Sequence, residues 1–482
     1  MINTKETGCP PPSGSGGNGK YDLAVIGAGS AGFSAAITAA ELGAQVVMVG
    51  GGTIGGTCVN VGCVPSKTLI RATETLHQAQ AASRFNGIGG GTNLEDWQAL
   101  IAQKDELVTN MRQEKYADLL PAYNTISYIE GQARLSGDGV AVNGTHINPG
   151  KIIITTGASS AAPPIPGVDD VPYLTSTTAL ELEKLPESLM VIGGGFIGCE
   201  LAQMLARAGA KVTIFCRSRL LPEAEPEISE ALKGYFREEG ITVRDGISYK
   251  EIRHEANGVS LTIDTGGATE TVEAEQVLVS TGRRPNTEGL GLEDAGVELT
   301  PNGGITVDDL MRTTNPDIYA AGDVTGRHQF VYMAAYGAKL AAKNALNGNT
   351  HKYDATAMPA VTFTDPQVAS VGLTEAAAVE QGLEVKTSIL PLSYVPRALA
   401  ARDTRGLIKL VADAKTDKLL GAHILAPEGA DSIQTAVLAI KHGLTVTDLA
   451  ETIFPYLTTV EGLKLAAQAF DKDVSKLSCC AG

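Results

Sequence analysis

The side chains best suited to chemistry in this sequence are its cysteines, at positions 9, 58, 63, 199, 216, 479 and 480. Seven thiols spread over 482 residues lack the density of a disulfide scaffold. In a reducing compartment such residues bind metals or exchange electrons more often than they staple a fold. Two local groupings stand out. Cys58 and Cys63 share the stretch Gly55-Gly56-Thr57-Cys58-Val59-Asn60-Val61-Gly62-Cys63-Val64-Pro65-Ser66-Lys67, the most specific in the chain. Cys479 and Cys480 are neighbours in Lys476-Leu477-Ser478-Cys479-Cys480-Ala481-Gly482, on what should be a mobile tail. Adjacent cysteines close only a strained disulfide ring, so they tend to stay available as thiols. Soft thiolates select soft metal ions, and Hg(II) is the extreme case because two sulfur ligands satisfy it.

The elements able to position such thiols are marked by glycine, whose 55 copies exceed the average of roughly 7%. Leu23-Ala24-Val25-Ile26 runs into Gly27-Ala28-Gly29-Ser30-Ala31-Gly32, a small-residue helix and a strand from Gln45 to Val49, which predicts a βαβ start. The same grammar returns at Leu189 to Ile192, with Gly193-Gly194-Gly195-Phe196-Ile197-Gly198, a helix to about Ala208 and a strand from Lys211 to Phe215. Gly-x-Gly-x-x-Gly alone is a weak signal. Between a strand and a helix it gives a tight turn whose backbone N–H groups face a pyrophosphate. A carboxylate normally ends the second strand to hold the ribose hydroxyls, yet Val49 is followed by Gly50-Gly51-Gly52. The first ribose must therefore be held differently. In the second unit the strand ends Ile214-Phe215-Cys216-Arg217-Ser218-Arg219, without an acid. Arg217 and Arg219 favour a 2′-phosphate, hence NADPH over NADH, the alternative being two solvated surface arginines.

Length allows three domains of about 100 to 200 residues. Two further strand-to-glycine stops, Ile152-Ile153-Ile154-Thr155-Thr156-Gly157 and Val277-Leu278-Val279-Ser280-Thr281-Gly282, mark expected crossings between the nucleotide units. From about Asp354 the chain turns to alternating segments such as Leu407 to Val411 and Gly421 to Leu425, with a helix from Ser432 to His442. Residues 7 to 20, with Pro10-Pro11-Pro12 and Ser/Gly alternation, read as a flexible linker that hints at an upstream module. A net charge of −16 gives no general attraction to nucleic acid or anionic membranes. No apolar run reaches about 18 residues and no signal peptide is visible, so membrane insertion is not expected and a cytoplasmic location is the default.

The Gly55–Lys67 stretch resembles the active-site segment of the flavoprotein disulfide reductases. The resemblance extends over Tyr21 to Gly482, including Thr281-Gly282-Arg283-Arg284-Pro285-Asn286 and Ile318-Tyr319-Ala320-Ala321-Gly322-Asp323-Val324. It implies an α/β fold of two Rossmann-like FAD/NAD(P)-binding domains plus an α+β C-terminal dimerisation domain. The expected division is a linker over 1–20, an FAD-binding domain over 21–165 and 286–353, an NADPH-binding domain over 166–285, and a dimerisation domain with the Cys-Cys tail over 354–482. Gly27, Gly29 and Gly32 would meet the FAD pyrophosphate, Asp323 its ribityl and phosphate region, and Thr57 and Lys67 would also contact it. Gly193, Gly195 and Gly198 would hold NADPH with Arg217 and Arg219. By the same analogy Cys63 faces the flavin, Cys58 exchanges with substrate, and Lys67 pairs with Glu200 beside the reactive flavin edge. Five residues of ideal helix rise about 7.5 Å, beyond the roughly 7 Å limit for a disulfide. The two cysteines can pair only if the helix start is distorted, which Gly62 would ease. A helix N-terminus also favours thiolates. A purely structural disulfide is the competing reading.

Glutathione-type members carry a His-Pro-Thr segment followed by a glutamate, and the histidine shuttles a proton to the leaving thiol. Here the chain reads Ile453-Phe454-Pro455-Tyr456-Leu457-Thr458-Thr459-Val460-Glu461, and no histidine follows His442. A missing histidine together with a vicinal C-terminal cysteine pair marks the mercuric-ion-reducing members of the family. Some of these carry an N-terminal metallochaperone-like domain on a tether such as residues 7 to 20. The resemblance therefore implies reduction of Hg(II), delivered as a dithiolate, to elemental mercury, with NADPH, FAD and the cysteine pair as the electron path. Cys479 and Cys480 of one subunit of a homodimer would pass the metal to Cys58 and Cys63 of the other. Tyr456 would order the incoming complex and Tyr116 would be its counterpart, although a lone helical tyrosine is commonly packing. The terminal pair also fits an incidental pair, a lipidation site or a thioredoxin-reductase-type tail. Two other functions stay open: an NADPH-dependent reductase of a small disulfide, and a flavoprotein that sequesters mercury without turnover. Cys9 has no assigned role.

Overall fold

The computed structural model describes residues 21–476. The linker over residues 1–20 with Cys9, and the Cys479-Cys480 pair, lie outside the described residues. The chain divides into two compact units. One comprises residues 21–60, Thr109–Ser159 and Arg284–Tyr353; the other comprises Val61–Val108, Ser160–Arg283 and residues 354–476.

In the first unit, short runs of apolar and β-branched residues form a parallel sheet in the order Ile318–Ala320, Lys151–Ile154, Leu23–Ile26, Val46–Gly50, Ile126–Glu130. The central strands are buried on both faces, as continuous apolar runs require. The alanine-rich helices Ser30–Glu41 and Val331–Asn347 pack closely because their facing side chains are small.

The second unit contains another parallel sheet, ordered Thr242–Arg244, Lys211–Phe215, Ser188–Ile192, Gln276–Val279. Leu69 and Trp97 from the Val61–Val108 segment are buried in one core with Leu189, Leu201 and Leu205, which is why that segment belongs to this unit rather than to the nucleotide unit it follows in sequence. Val368 and Leu425 join the same core. They come from a five-stranded antiparallel sheet in the order Pro359–Thr362, Gln367–Gly372, Leu419–Ala426, Leu407–Asp413, Val385–Pro391. The helices Gly429–Lys441 and Glu461–Gln468 cover it. The strands expected around Leu407 and Gly421, and the helix expected from Ser432, are thus present, each slightly longer than the pattern indicates. Among the described residues no helix is long and apolar enough to cross a membrane.

Candidate active site

Both glycine loops are built to admit a pyrophosphate. In the first, a Cβ at Gly32 would lie 1.9 Å from the Gly27 carbonyl oxygen, so only glycine lets the Ser30–Glu41 helix start against the strand end. In the second, a Cβ at Gly198 would lie 2.2 Å from the Gly193 carbonyl oxygen, whereas one at Gly195 would meet nothing within 4 Å. The protein interior therefore does not demand glycine at 195, and the open space in front of it suits a ligand. Gly29 and Gly195 occupy the N-cap positions of their helices, no side chain caps either, and neither first turn carries an acid. Their N–H groups and helix dipoles are thus available to an anion. These cradles fit a dinucleotide in each unit. Asp323 opens a short 3-10 turn behind Gly322 and is partly exposed.

Cys58 is set against the first loop. Its short helix, Gly56–Val61, begins where Gly55 N–H donates to Ala28 O at 2.8 Å, and a Cβ at Gly56 would fall 2.6 Å from Gly29 Cα. Asn60 Nδ2 returns to the carbonyls of Ile54 and Gly56, and Arg112 Nη1 donates to Asn60 Oδ1 at 3.1 Å. Gly62, at φ −130° and ψ −111°, breaks the helical run, and Cys63 begins the next helix, Cys63–Gln80. Both cysteines are partly exposed.

One turn on, Lys67 Nζ lies 2.7 Å from Glu200 Oε2. Glu200 is 3% exposed, and its other oxygen accepts the backbone N–H of Phe363 at 2.8 Å. Lys67 also stands over the Phe363 ring, 5.0 Å from its centroid. A buried carboxylate with both oxygens satisfied holds the ammonium in one place. Lys67 and Phe363 line a cavity of about 350 Å³ that extends to Arg397, Glu428 and Thr459 within the second unit.

Residues 21–339 match the family described as pyridine nucleotide-disulphide oxidoreductase, and residues 358–467 match the dimerisation domain of the same enzymes. The chain belongs to the pyridine nucleotide-disulphide oxidoreductases. It is 52% identical to a mercuric reductase of Bacillus cereus over 97% of this chain and 74% of that one. With a mercuric reductase of Streptomyces lividans the identity is 50%, over 96% of this chain and 98% of the relative. Among solved structures, the Cu(II) complex of the flavoprotein disulfide reductase RclA of Escherichia coli superposes with a TM-score of 0.82 at 31% identity, covering 93% of this chain and 99% of that one. LpdA of Mycobacterium tuberculosis gives 0.83 at 27% identity over 92% and 99%.

Tyr456 and Glu461 are the residues expected where glutathione-type members use a histidine and a glutamate. Tyr456 is 48% exposed in a turn that also exposes Ile453 and Leu457. Glu461 is buried, which raises its carboxyl above the ordinary range, and its Oε2 accepts the Leu457 N–H. Tyr116 lies in the other unit, its ring edge-on to Phe33 at 5.0 Å and its hydroxyl 3.3 Å from Ser30 Oγ, so it packs beside the first glycine loop. Beyond the strand ending at Phe215, Arg217 is exposed. Arg219 instead turns back, and its Nη2 donates to the carbonyls of Pro222 and Ala224. Cys199 and Cys216 are buried behind the second loop; burial pushes both thiols up, Cys216 to about 12.

Sequence reasoning missed Phe363 and the clamp that places it. Gln203 exchanges two 2.8 Å hydrogen bonds with the Asp365 backbone, and Arg207 Nη2 reaches Asp365 Oδ2 at 2.8 Å. Glu200, Gln203 and Arg207 fall on one helix face, a spacing that was visible as a polar stripe on an otherwise apolar helix.

Proposed function

We propose that this chain reduces thiol-bound Hg(II) to elemental mercury, with two electrons from NADPH delivered by way of FAD to the Cys58/Cys63 pair, in a cytoplasmic homodimer whose subunits share each active site. The observation that carries this reading is the 52% identity to a mercuric reductase over 97% of the chain. The substitution of Tyr456 for a proton-shuttling histidine, with Glu461 engaged by the backbone of its own turn, supports it.

Gly27, Gly29, Gly32, Thr57, Lys67 and Asp323 hold FAD; Gly193, Gly195, Gly198 and Arg217 hold NADPH. When bound, FAD supplies the two-electron relay between the nicotinamide and the sulfurs. Every other task falls to the protein. Hg(II) arrives with two thiolates, is captured by Cys479 and Cys480 of one subunit, and passes to Cys58 and Cys63 of the other. Each Hg–S bond forms as another breaks, so no bare ion appears and no histidine proton is needed. The exposed Tyr456 phenol orders the incoming complex, and Tyr116 supports the first loop against which the Cys58 helix rests. Glu200 fixes the Lys67 charge. Two electrons from NADPH, relayed through the flavin when it is bound, would convert Hg(II) to Hg(0); both Hg–S bonds break and Cys58 and Cys63 are left as thiolates.

The test is NADPH oxidation by purified protein offered Hg(II) with excess thiol, glutathione disulfide or lipoamide in parallel. Oxidation with the mercuric complex and release of volatile mercury is the expected result. Turnover on a disulfide alone, or mercury retained on the protein without turnover, contradicts it.

A further inference from the structure

We propose that Tyr128 and Glu130, on the strand beside the glycine-ended second strand, hold the adenosine ribose hydroxyls of FAD in place of the carboxylate missing at position 50. The inference uses only the assignment of FAD to the first loop and does not depend on what the enzyme reduces. In dinucleotide-binding units of this kind an acid closing the second strand accepts from the ribose hydroxyls. Here that strand closes on Gly50, followed by Gly51 and Gly52.

The space beside Gly50 is already filled. A Cβ there would lie 2.5 Å from the Tyr128 hydroxyl and 2.8 Å from Ala28 Cβ, so the phenol oxygen stands where a side chain at position 50 would begin, next to the first glycine loop. At Gly51 a Cβ would fall 2.6 Å from Gln132 Oε1. Glycine at 50 and 51 is thus a consequence of what the neighbouring strand brings in, whereas a Cβ at Gly52 would meet nothing within 4 Å.

That neighbour is the Ile126–Glu130 strand, paired in parallel with Met48 opposite Tyr128 and Gly50 opposite Glu130. Residues two apart on a strand share a face, and register partners in adjacent strands sit about 4.8 Å apart. Glu130 therefore offers a carboxylate one strand over, level with the position that lacks one. The junction is fastened: Gly131 N–H donates to Gly50 O at 2.8 Å, Gln132 Nε2 to Gly51 O at 2.9 Å, and Asn143 Nδ2 to Glu130 O at 2.8 Å. Among the described residues the Tyr128 hydroxyl makes no hydrogen bond, and the Glu130 side chain, which is exposed, forms no ion pair. Burial, reinforced by the nearby Glu130, raises the Tyr128 phenol, which stays neutral and able to donate or accept. A phenol and a carboxylate side by side match a vicinal diol, since the carboxylate accepts from its hydroxyls and the phenol can do either.

The experiment measures flavin release from the full-length holoenzyme, by recovery of flavin fluorescence on dilution. The enzyme is loaded with FAD or with an FAD analogue lacking both adenosine ribose hydroxyls. Wild type is expected to release the analogue about tenfold faster than FAD, equivalent to the loss of one good charge-assisted contact. Glu130→Gln and Tyr128→Phe are expected to release FAD about tenfold faster than wild type and to lose most of the discrimination between the two flavins. Equal release of both flavins by wild type overturns the proposal without recourse to any variant; so does wild-type retention of FAD by Glu130→Gln. A chain that passes this test yet fails to produce mercury overturns only the functional reading.

Discussion

The backbone N–H of Leu457 donates to Glu461 Oε2 at 3.1 Å, with Leu457 itself at φ 60°. Glu461 N–H in turn donates to Thr458 Oγ1 at 3.3 Å, so the turn that carries the half-exposed Tyr456 closes on itself. The glutamate that would orient a histidine in a dithiol-exchanging enzyme is committed to its own backbone. Tyr456→His should therefore not create a disulfide reductase: turnover on lipoamide or glutathione disulfide is expected to stay at background. Appearance of such turnover would show that Glu461 is free to orient an imidazole. Tyr456→Phe is expected to lower mercury turnover about tenfold, the usual scale for losing one positioned polar group.

Lys67 and Glu200 should respond unequally to substitution. Lys67→Met leaves a carboxylate that is 3% exposed with only the Phe363 N–H, which costs about 3 kcal/mol of stability. Glu200→Gln keeps an acceptor for Phe363 and removes the buried charge, so about 1 kcal/mol is expected. Urea unfolding of the two variants decides it, and equal losses would show that the pair is not governed by the burial of Glu200.

The two arginines after Phe215 should separate in kinetics. Arg217→Ala is expected to raise KM for NADPH about tenfold while leaving KM for NADH nearly unchanged, because only NADPH carries the 2′-phosphate. Arg219→Ala removes the bonds to the Pro222 and Ala224 carbonyls, so it should weaken the loop and raise both KM values together. A selective NADPH defect in Arg219→Ala would exchange these roles.

Acid should destabilise the protein earlier than carboxylate titration alone predicts. His423 is 2% exposed; burial lowers its pKa, outweighing the Leu373 carbonyl and Glu225, while Lys409 adds to the lowering. His77 is lowered by burial and by Arg207. A histidine whose folded pKa lies below its unfolded value contributes stability above about pH 6.5, and that contribution is lost as pH falls toward the folded value. The unfolding midpoint should thus decline from about pH 6.5 downward, and His423→Gln should flatten part of that decline. An unchanged slope in the variant would remove His423 from the account.

Much of this was legible from local patterns, because glycine loops, strand ends and cysteine spacing are short-range signals. Both glycine loops, their strands and helices, and the break at Gly62 fall where the spacing puts them. The absence of an acid at Gly50 could be read directly, but Tyr128 could not, since it reaches Gly50 only through the parallel register of strands distant in the chain. The same holds for Phe363 under Lys67, and for Lys409, whose buried ammonium meets Glu225 and Glu227 from one segment and Glu375 from another. Arg217 and Arg219 look equivalent in sequence; only the fold of the loop turns one outward and ties the other to carbonyl oxygens.

The central claim is that the Cys58/Cys63 pair holds a thiol-bound soft cation while two electrons from NADPH reduce it. The most direct measurement is the yield of volatile mercury per NADPH oxidised, from Hg(II) in excess thiol, for wild type and for Cys58→Ser. The account predicts stoichiometric release by wild type and almost none by the variant, which should still accept electrons from NADPH into its flavin. Mercury that stays in solution while wild type oxidises NADPH, or equal release by Cys58→Ser, would contradict it.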